Sequence, residues 1–292
     1  MAFTLQIKQK KLFGKTKLDI LTLARVCGFV YGSDDDFHIL QKGQTDNETA
    51  VFYNPERIGR GIFFDGTNSA GGFYEISYNI PTTRGEITDF VRLVKEVERR
   101  LGKVEMYCVE EERTFTTAEL EQNIDNFVNF SLESLKQFCN NKEYQNYILT
   151  LALWPYTLSA DKVSAWSESA DLADFEQTLH TIQSRDVYYA RPKLLQKSDT
   201  GEIGAFYVLT EECESVFPVH ADGFLNLSEY KISEGFIQFY IYSENRMLDV
   251  LYSYERFMEE VRQYGIQQFD TDHVLIPPLN KESLEKLADK LS

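Results

Sequence analysis

The stretch Gly72-Phe73-Tyr74-Glu75-Ile76-Ser77-Tyr78-Asn79-Ile80-Pro81-Thr82-Thr83-Arg84-Gly85-Glu86 decides the fold class. Its first half alternates like a half-buried strand up to Ile80. Pro81 then stops the alternation, and Thr83-x-x-Glu86 has the form of a capping box that starts a helix. Behind it Ile87, Phe90, Val91, Val94, Val97 and Leu101 recur with a 3.6-residue period until Gly102 ends it. Residues 103–109 return to strand. A second box, Thr116-x-x-Glu119, opens a helix with Leu120, Ile124, Phe127, Val128, Ser131, Leu135 and Phe138 on one face.

Working outward, residues 3–8 read as a strand, and Leu18 to Cys27 as a short helix ended by Gly28. Residues 32–49 read as loop, while Ala50–Tyr53 and Gly61–Phe64 are β, punctuated by Asn54-Pro55 and by Asp65-Gly66-Thr67-Asn68. Toward the C-terminus, Tyr147–Trp154 predicts a buried strand, and Leu172, Phe175, Leu179 and Ile182 predict a helix. Residues 187–195 and 203–210 form a hairpin about Ser198-Asp199-Thr200-Gly201. Then follow a strand at Phe236–Tyr242, a helix through Leu251 to Val261, a short strand at His273–Ile276 and a closing amphipathic helix. Hairpins and helices in separate blocks predict an α+β fold of antiparallel and mixed sheets packed on amphipathic helices. The polar run at 140–146 is where a seam is expected, giving lobes 1–142 and 143–292 unless the domain is continuous. Strand–helix–Gly recurs between Phe73 to Gly102 and Phe236 to Gly265, so two similar strand–helix lobes are an open alternative.

Composition excludes several classes. With 43% hydrophobic and 14% aromatic residues the 292-residue chain can bury a sizeable core and is not disordered. Its net charge of -16 opposes generic nucleic-acid binding. The exception is local: Lys8, Lys10, Lys11, Lys15 and Lys17 precede the first acid, Asp19, and are the place where a weak anionic contact could form. The start lacks a continuous apolar core and no run is long enough to cross a bilayer. The four cysteines, Cys27, Cys108, Cys139 and Cys213, form no CxxC pair and read as reduced thiols. The expectation is a cytoplasmic protein with no membrane contact.

The chemical motifs in the chain have plain structural explanations. Ile62-Phe63-Phe64-Asp65-Gly66-Thr67 is similar to the Asp-Gly-Thr strand end of haloacid-dehalogenase phosphatases, but Phe63 stands where their nucleophile belongs. Thr67-Asn68-Ser69-Ala70-Gly71 is one substitution from a nucleophile elbow, yet it leads into a strand instead of a helix. The four histidines, His38, His180, His220 and His273, have no zinc-ligand spacing. Asp270-Thr271-Asp272-His273 and Asp34-Asp35-Asp36 read as turn chemistry and wet loop, and so do the runs Glu110-Glu111-Glu112 and Glu211-Glu212-x-Glu214. No phosphate-binding loop occurs. No metal and no cofactor is expected.

Polar groups concentrate between residues 53 and 80. Arg57 and Arg60 could grip a carboxylate or phosphate, and Asp65 and Tyr78 lie close to them in sequence. Arg57, Arg60, Asp65 and Tyr78 are therefore the candidate ligand-binding set. An enzyme should bring at least two such groups within hydrogen-bond reach in a cleft.

Read whole, the chain resembles an uncharacterised family of Gram-positive bacterial proteins, a domain of unknown function of about this length. Segments that carry the resemblance include Leu12-Phe13-Gly14-Lys15, Tyr53-Asn54-Pro55, Ile58-Gly59-Arg60-Gly61, Ser77-Tyr78-Asn79-Ile80-Pro81 and Ala221-Asp222-Gly223-Phe224. The resemblance implies a bacterial, cytoplasmic protein and a full-length domain family, and it transfers no catalytic residue. The sequence expectation is a non-enzymatic binding protein with an acidic, aromatic-bearing surface, its partner a protein or a small molecule. The competing expectation is an enzyme with its site around residues 53–80.

Overall fold

A computed structural model describes residues 1–11, 14–35, 37–141, 147–223 and 232–292. The chain folds as two compact units, Met1–Arg185 and Asp186–Ser292. The first holds strands β1 (Ala2–Gln9), β2 (Val30–Ser33), β3 (Gln41–Lys42), β4 (Thr49–Tyr53), β5 (Ile62–Asp65), β6 (Phe73–Asn79), β7 (Val104–Cys108), β8 (Arg113–Phe115), β9 (Ile148–Thr150) and β10 (Pro155–Thr157). Its helices are α1 (Ile20–Cys27), α2 (Arg84–Leu101), α3 (Thr117–Gln122), α4 (Ile124–Asn140), α5 (Ala160–Ser167) and α6 (Ala173–Gln183).

Eight strands form one antiparallel sheet in the order β3-β2-β4-β5-β6-β1-β7-β8. The alternation read from the sequence sets its faces. Phe3, Leu5 and Ile7 of β1 lie level with Tyr78, Ile76 and Tyr74 of β6 and are all buried. They pack with Leu23 and Cys27 of α1, Ile87, Phe90, Val94 and Val97 of α2, and Leu120 of α3, in one core. Burial of a large apolar side chain there stabilises by about 1.5–3 kcal/mol each. The opposite face carries Gln6, Lys8, Glu75, Glu105 and Tyr107, all at least partly exposed.

The second unit contains β11 (Tyr188–Tyr189), β12 (Lys193–Gln196), β13 (Ile203–Thr210), β14 (Ser215–Pro218), β15 (Ile232–Ile241), β16 (Arg246–Met247), β17 (Tyr252–Ser253), β18 (Gln267–Gln268), β19 (His273–Ile276), α7 (Tyr254–Glu260) and α8 (Lys281–Leu291). One sheet runs β11-β14-β19-β18 and another β12-β13-β15-β16, with β17 paired to β15. Pairs β11–β14 and β13–β15 are parallel and the rest antiparallel, so the sheets are mixed. The aromatic load fills the core: Tyr207 lies 4.8 Å from Tyr254, whose buried hydroxyl donates to the Pro218 carbonyl at 2.6 Å. Asp270 caps its own turn, accepting from the backbone of Asp272 and His273.

The architecture is α+β. Among the described residues no helix is long and apolar enough to cross a membrane. The compact units meet in sequence at 185/186, whereas the polar run at 140–146 suggested 142/143; residues 142–146 lie outside the described part. The reason is visible in the hydrogen bonds. The Gln183 side chain donates to the Gly59 carbonyl at 2.8 Å, and the Leu153 amide donates back to Gln183 at 3.0 Å, so residues 150–183 belong with the first sheet. The strand–helix similarity does not extend to topology. β6 leads through Ile80–Thr83 into the 18-residue α2, while β15 pairs in parallel with β13 and passes through two short strands before the seven-residue α7. The helix predicted from Thr116 to Phe138 breaks at Asn123 into α3 and α4.

Candidate functional site

Arg57 and Arg60 flank the turn that follows β4. The turn is closed by the Arg57 amide donating to the Asn54 carbonyl at 3.1 Å, and the Asn54 side chain holds the Glu56 amide. This points Arg57 at α2. Its guanidinium donates from Nε and Nη2 to the two oxygens of Asp89, at 2.9 and 2.8 Å. Asp89 is buried and also accepts from Arg92 at 2.7 Å. The bidentate pairing raises the Arg57 pKa further and fixes the plane of the guanidinium. Its Nη1 has no protein acceptor among the described residues.

Arg57 lines a cleft of about 610 Å³ in the first unit, together with Arg84 and residues of α4 and α6. This lies in the size range of small-molecule sites. Val128 and Leu132 of α4 form an apolar wall beside Asn129, and Glu176, Gln177 and His180 come from α6. Gly85, in the first turn of α2, makes the close approach possible. A Cβ there would stand 2.8 Å from Arg57 Cδ and 2.9 Å from Glu176 Oε1. Without one, the Gly85 amide donates to Glu176 Oε2 at 3.1 Å, an anion at a helix N-terminus. Arg84 pairs with Asp125 at 2.6 Å, but the two side chains are 56% and 80% exposed, and such surface pairs hold weakly.

His180 is the most informative residue of the cleft. Its Nδ1 accepts the Ile58 amide at 3.2 Å. A backbone N–H has only a proton to give, so the neutral ring must carry its own hydrogen on Nε2. The ring therefore offers the cleft a donor, and its one basic lone pair is already engaged.

Arg60, three residues on, faces the other way. It is buried, with Nε donating to the Thr150 carbonyl at 2.9 Å and Nη1 to the Pro81 carbonyl at 3.0 Å. Burial pushes its pKa down to about 10. The backbone amides of Arg60 and Gly61 donate to the carboxylate of Glu86 at 3.0 and 2.5 Å, and the Thr82 hydroxyl donates to it too. Burial raises the Glu86 pKa against these bonds. Gly61, at φ +89° and with no room for a Cβ, which would stand 2.6 Å from Val51 Cγ1, supplies the left-handed turn that presents both amides. Ser131 of α4 ties the same corner by accepting from the Thr82 amide and donating to the Thr82 carbonyl.

The other two candidates also part company. Tyr78 is in the core, stacked on Phe3 at 5.3 Å and edge-on to Phe90 at 4.9 Å, and burial raises its pKa. Asp65 is exposed at the end of β5, where it accepts from the amide and hydroxyl of Thr67 in a tight turn. Among the described residues no hydrogen bond joins any two of Arg57, Arg60, Asp65 and Tyr78; only Arg57 lines the cleft. Arg84, Glu176 and His180 were not foreseen, because their partners are distant in sequence. A glycine in the first turn of a strongly periodic helix, where it costs about 1 kcal/mol against alanine, was the one local signal.

The remaining motifs resolve locally. Asp34 pairs with His38 at 3.0 Å, while Asp36 lies outside the described residues. Ser69–Gly71 is a short 3-10 turn leading into β6, not an elbow. Lys10 pairs with Glu105, Lys11 donates to Thr16, Lys15 donates to the Gln9 carbonyl, and Lys8 lies over the Phe73 ring. Glu111 pairs with Arg113, and Glu211 accepts from Ser243. Among the described residues no group of three or more His, Cys, Asp or Glu is placed to hold a metal ion.

Fold and cleft thus define a two-unit α+β protein with a polar, preset cleft in its N-terminal unit. The family model described as "Domain of unknown function (DUF4299)" matches residues 2–287, and the chain belongs to that family. No curated protein and no solved structure shows significant similarity to it.

Proposed function

We propose that this is a binding protein, not an enzyme, and that the cleft at the start of α2 receives a small polar ligand. One observation carries the proposal: the basic nitrogen of His180 is committed to the Ile58 amide, so the ring acts as a donor and not as a general base. Arg57, held by buried Asp89, adds a second donor group fixed in advance. Donors that need no rearrangement lower the cost of capturing a ligand. The competing enzyme at residues 53–80 would need its groups together, whereas Tyr78 lies in the core, Arg60 is buried on the Thr150 and Pro81 carbonyls, Asp65 is exposed and Arg57 alone of the four lines the cleft. The acidic surface remains available to a protein partner; Lys8, Lys10, Lys11 and Lys15 each have a contact within the chain, and Lys17 is exposed. The proposal places the protein in the cytoplasm of a Gram-positive bacterium, where its four free thiols would stay reduced.

The test is a thermal-shift screen of metabolites with product analysis of every hit. Ligands that raise the melting temperature of the protein, lose that effect in Arg84→Ala and are recovered unchanged support binding. Turnover of a hit that depends on Asp65 would establish the enzyme instead.

A further inference from the structure

We infer that the ligand of this cleft is an amino-acid-type zwitterion, a small molecule carrying both a carboxylate and an ammonium group. The inference rests on the binding role proposed above and assigns its chemistry.

The donor side consists of three groups. Among the described residues Arg57 keeps Nη1 unused after both its other nitrogens have bonded Asp89. His180 presents Nε2–H, which has no protein partner among the described residues. Among the described residues the Arg84 side chain is tied only to the highly exposed Asp125, so its guanidinium can turn to a ligand carboxylate at little cost. These groups suit a planar carboxylate, which guanidinium binds in a matched fork.

A plain anion would nonetheless fit poorly. The same cleft is lined by Glu56, Asp171 and Glu176, three carboxylates against two guanidinium groups. The Glu176 oxygen at the start of α2 already occupies the Gly85 amide that an incoming anion would otherwise use. A lone anion would therefore meet an excess of like charge, and a lone cation would leave the Arg57 and His180 donors without an acceptor. A ligand bearing both signs a few atoms apart satisfies both sets. Val128 and Leu132 leave an apolar wall for its side chain, and the volume accommodates an amino acid or a dipeptide.

The experiment is isothermal titration of the full-length protein with the α-amino acids and a set of glycyl dipeptides. Each hit is then repeated as its N-acetyl form, which lacks the ammonium, and as its amide, which lacks the carboxylate. Inorganic phosphate serves as the plain-anion probe. At least one zwitterion is expected to bind saturably, with both blocked forms weakened by about tenfold or more, the loss expected when a hydrogen bond to a charged group is removed. Arg84→Ala, an exposed position that should leave folding intact by circular dichroism, is expected to weaken it comparably, and His180→Gln provides an independent second variant. Equal binding of the N-acetyl form, or phosphate binding in its place, overturns the zwitterion while leaving the cleft as a binding site. Failure of every zwitterion to bind also overturns it. Binding indifferent to both Arg84→Ala and His180→Gln overturns the cleft itself.

Discussion

Thr83-x-x-Glu86 and Thr116-x-x-Glu119 are the same four-residue pattern, yet the molecule uses them in opposite ways. At Thr116 the box closes on itself. The Thr116 hydroxyl accepts the Glu119 amide, and the Glu119 carboxylate reaches back to the Thr116 amide at 2.7 Å, out in solvent. At Thr83 only the first half forms. The Glu86 carboxylate turns inward and collects the amides of Arg60 and Gly61 and the hydroxyl of Thr82. One glutamate caps the start of its own helix; the other pins the loop between β4 and β5 to a helix start. The site follows from this second use. Anchoring residues 60–61 at Glu86 leaves the preceding turn to carry Arg57 out over Gly85, and it brings the Ile58 amide to His180.

Substitutions that separate the two glutamates should show the contrast most strongly. Glu86→Ala strands two amides, a hydroxyl and the nearby charge of buried Arg60, and is expected to cost about 3–5 kcal/mol in denaturant unfolding. Glu119→Ala should lower the midpoint only slightly, since water replaces an exposed cap. If the two losses are similar, the distinction drawn here fails.

Their pH dependences should run in opposite directions. Burial raises the Glu86 pKa from the usual 4.5. The stability linked to it is therefore present below pH 4.5 and is lost as the pH climbs through the raised value. Hydrogen bonds from Thr116 lower the Glu119 pKa from the same 4.5. Its contribution is present above that value and is lost as the pH falls through the lowered one. Unfolding followed across the acid range should show Glu86→Gln removing the first trend and Glu119→Gln the second.

Smaller effects belong to the cleft and to the exposed end of β5. Arg57→Ala leaves buried Asp89 with Arg92 and Asn54 as partners and should cost about 1–2 kcal/mol. Asp65→Ala, at an exposed turn, should change stability by less than about 0.5 kcal/mol. A large effect there would mean that the open sheet face does more than face water.

This contrast also marks how far the sequence could be read. The alternation of β1 and β6, the helix from Thr83 to Gly102 and the hairpin turn at 198–201 were legible because each is written in local spacing, whereas the strand read over 187–195 divides, Tyr188–Tyr189 pairing with β14 and Lys193–Gln196 with β13. The α+β class followed from them. The fate of Glu86 was not legible, since the residues it binds lie 25 and 26 positions away. Arg60 and Arg57 looked equivalent in sequence, and only the Gly61 turn and the position of Asp89 sent one inward and one to a cleft. His180 was visible merely as one scattered histidine, because Ile58, which fixes its ring, is 122 residues distant.

The central claim is that His180 faces the cleft as a donor, and nitrogen NMR of the imidazole tests it most directly. Long-range proton–nitrogen spectra of the protein, assigned with His180→Gln, should show the neutral ring protonated on Nε2, with the Nε2 resonance moving when a ligand saturates the cleft. A ring protonated on Nδ1, with Nε2 free as a base, would contradict the binding role and return the cleft to acid–base chemistry.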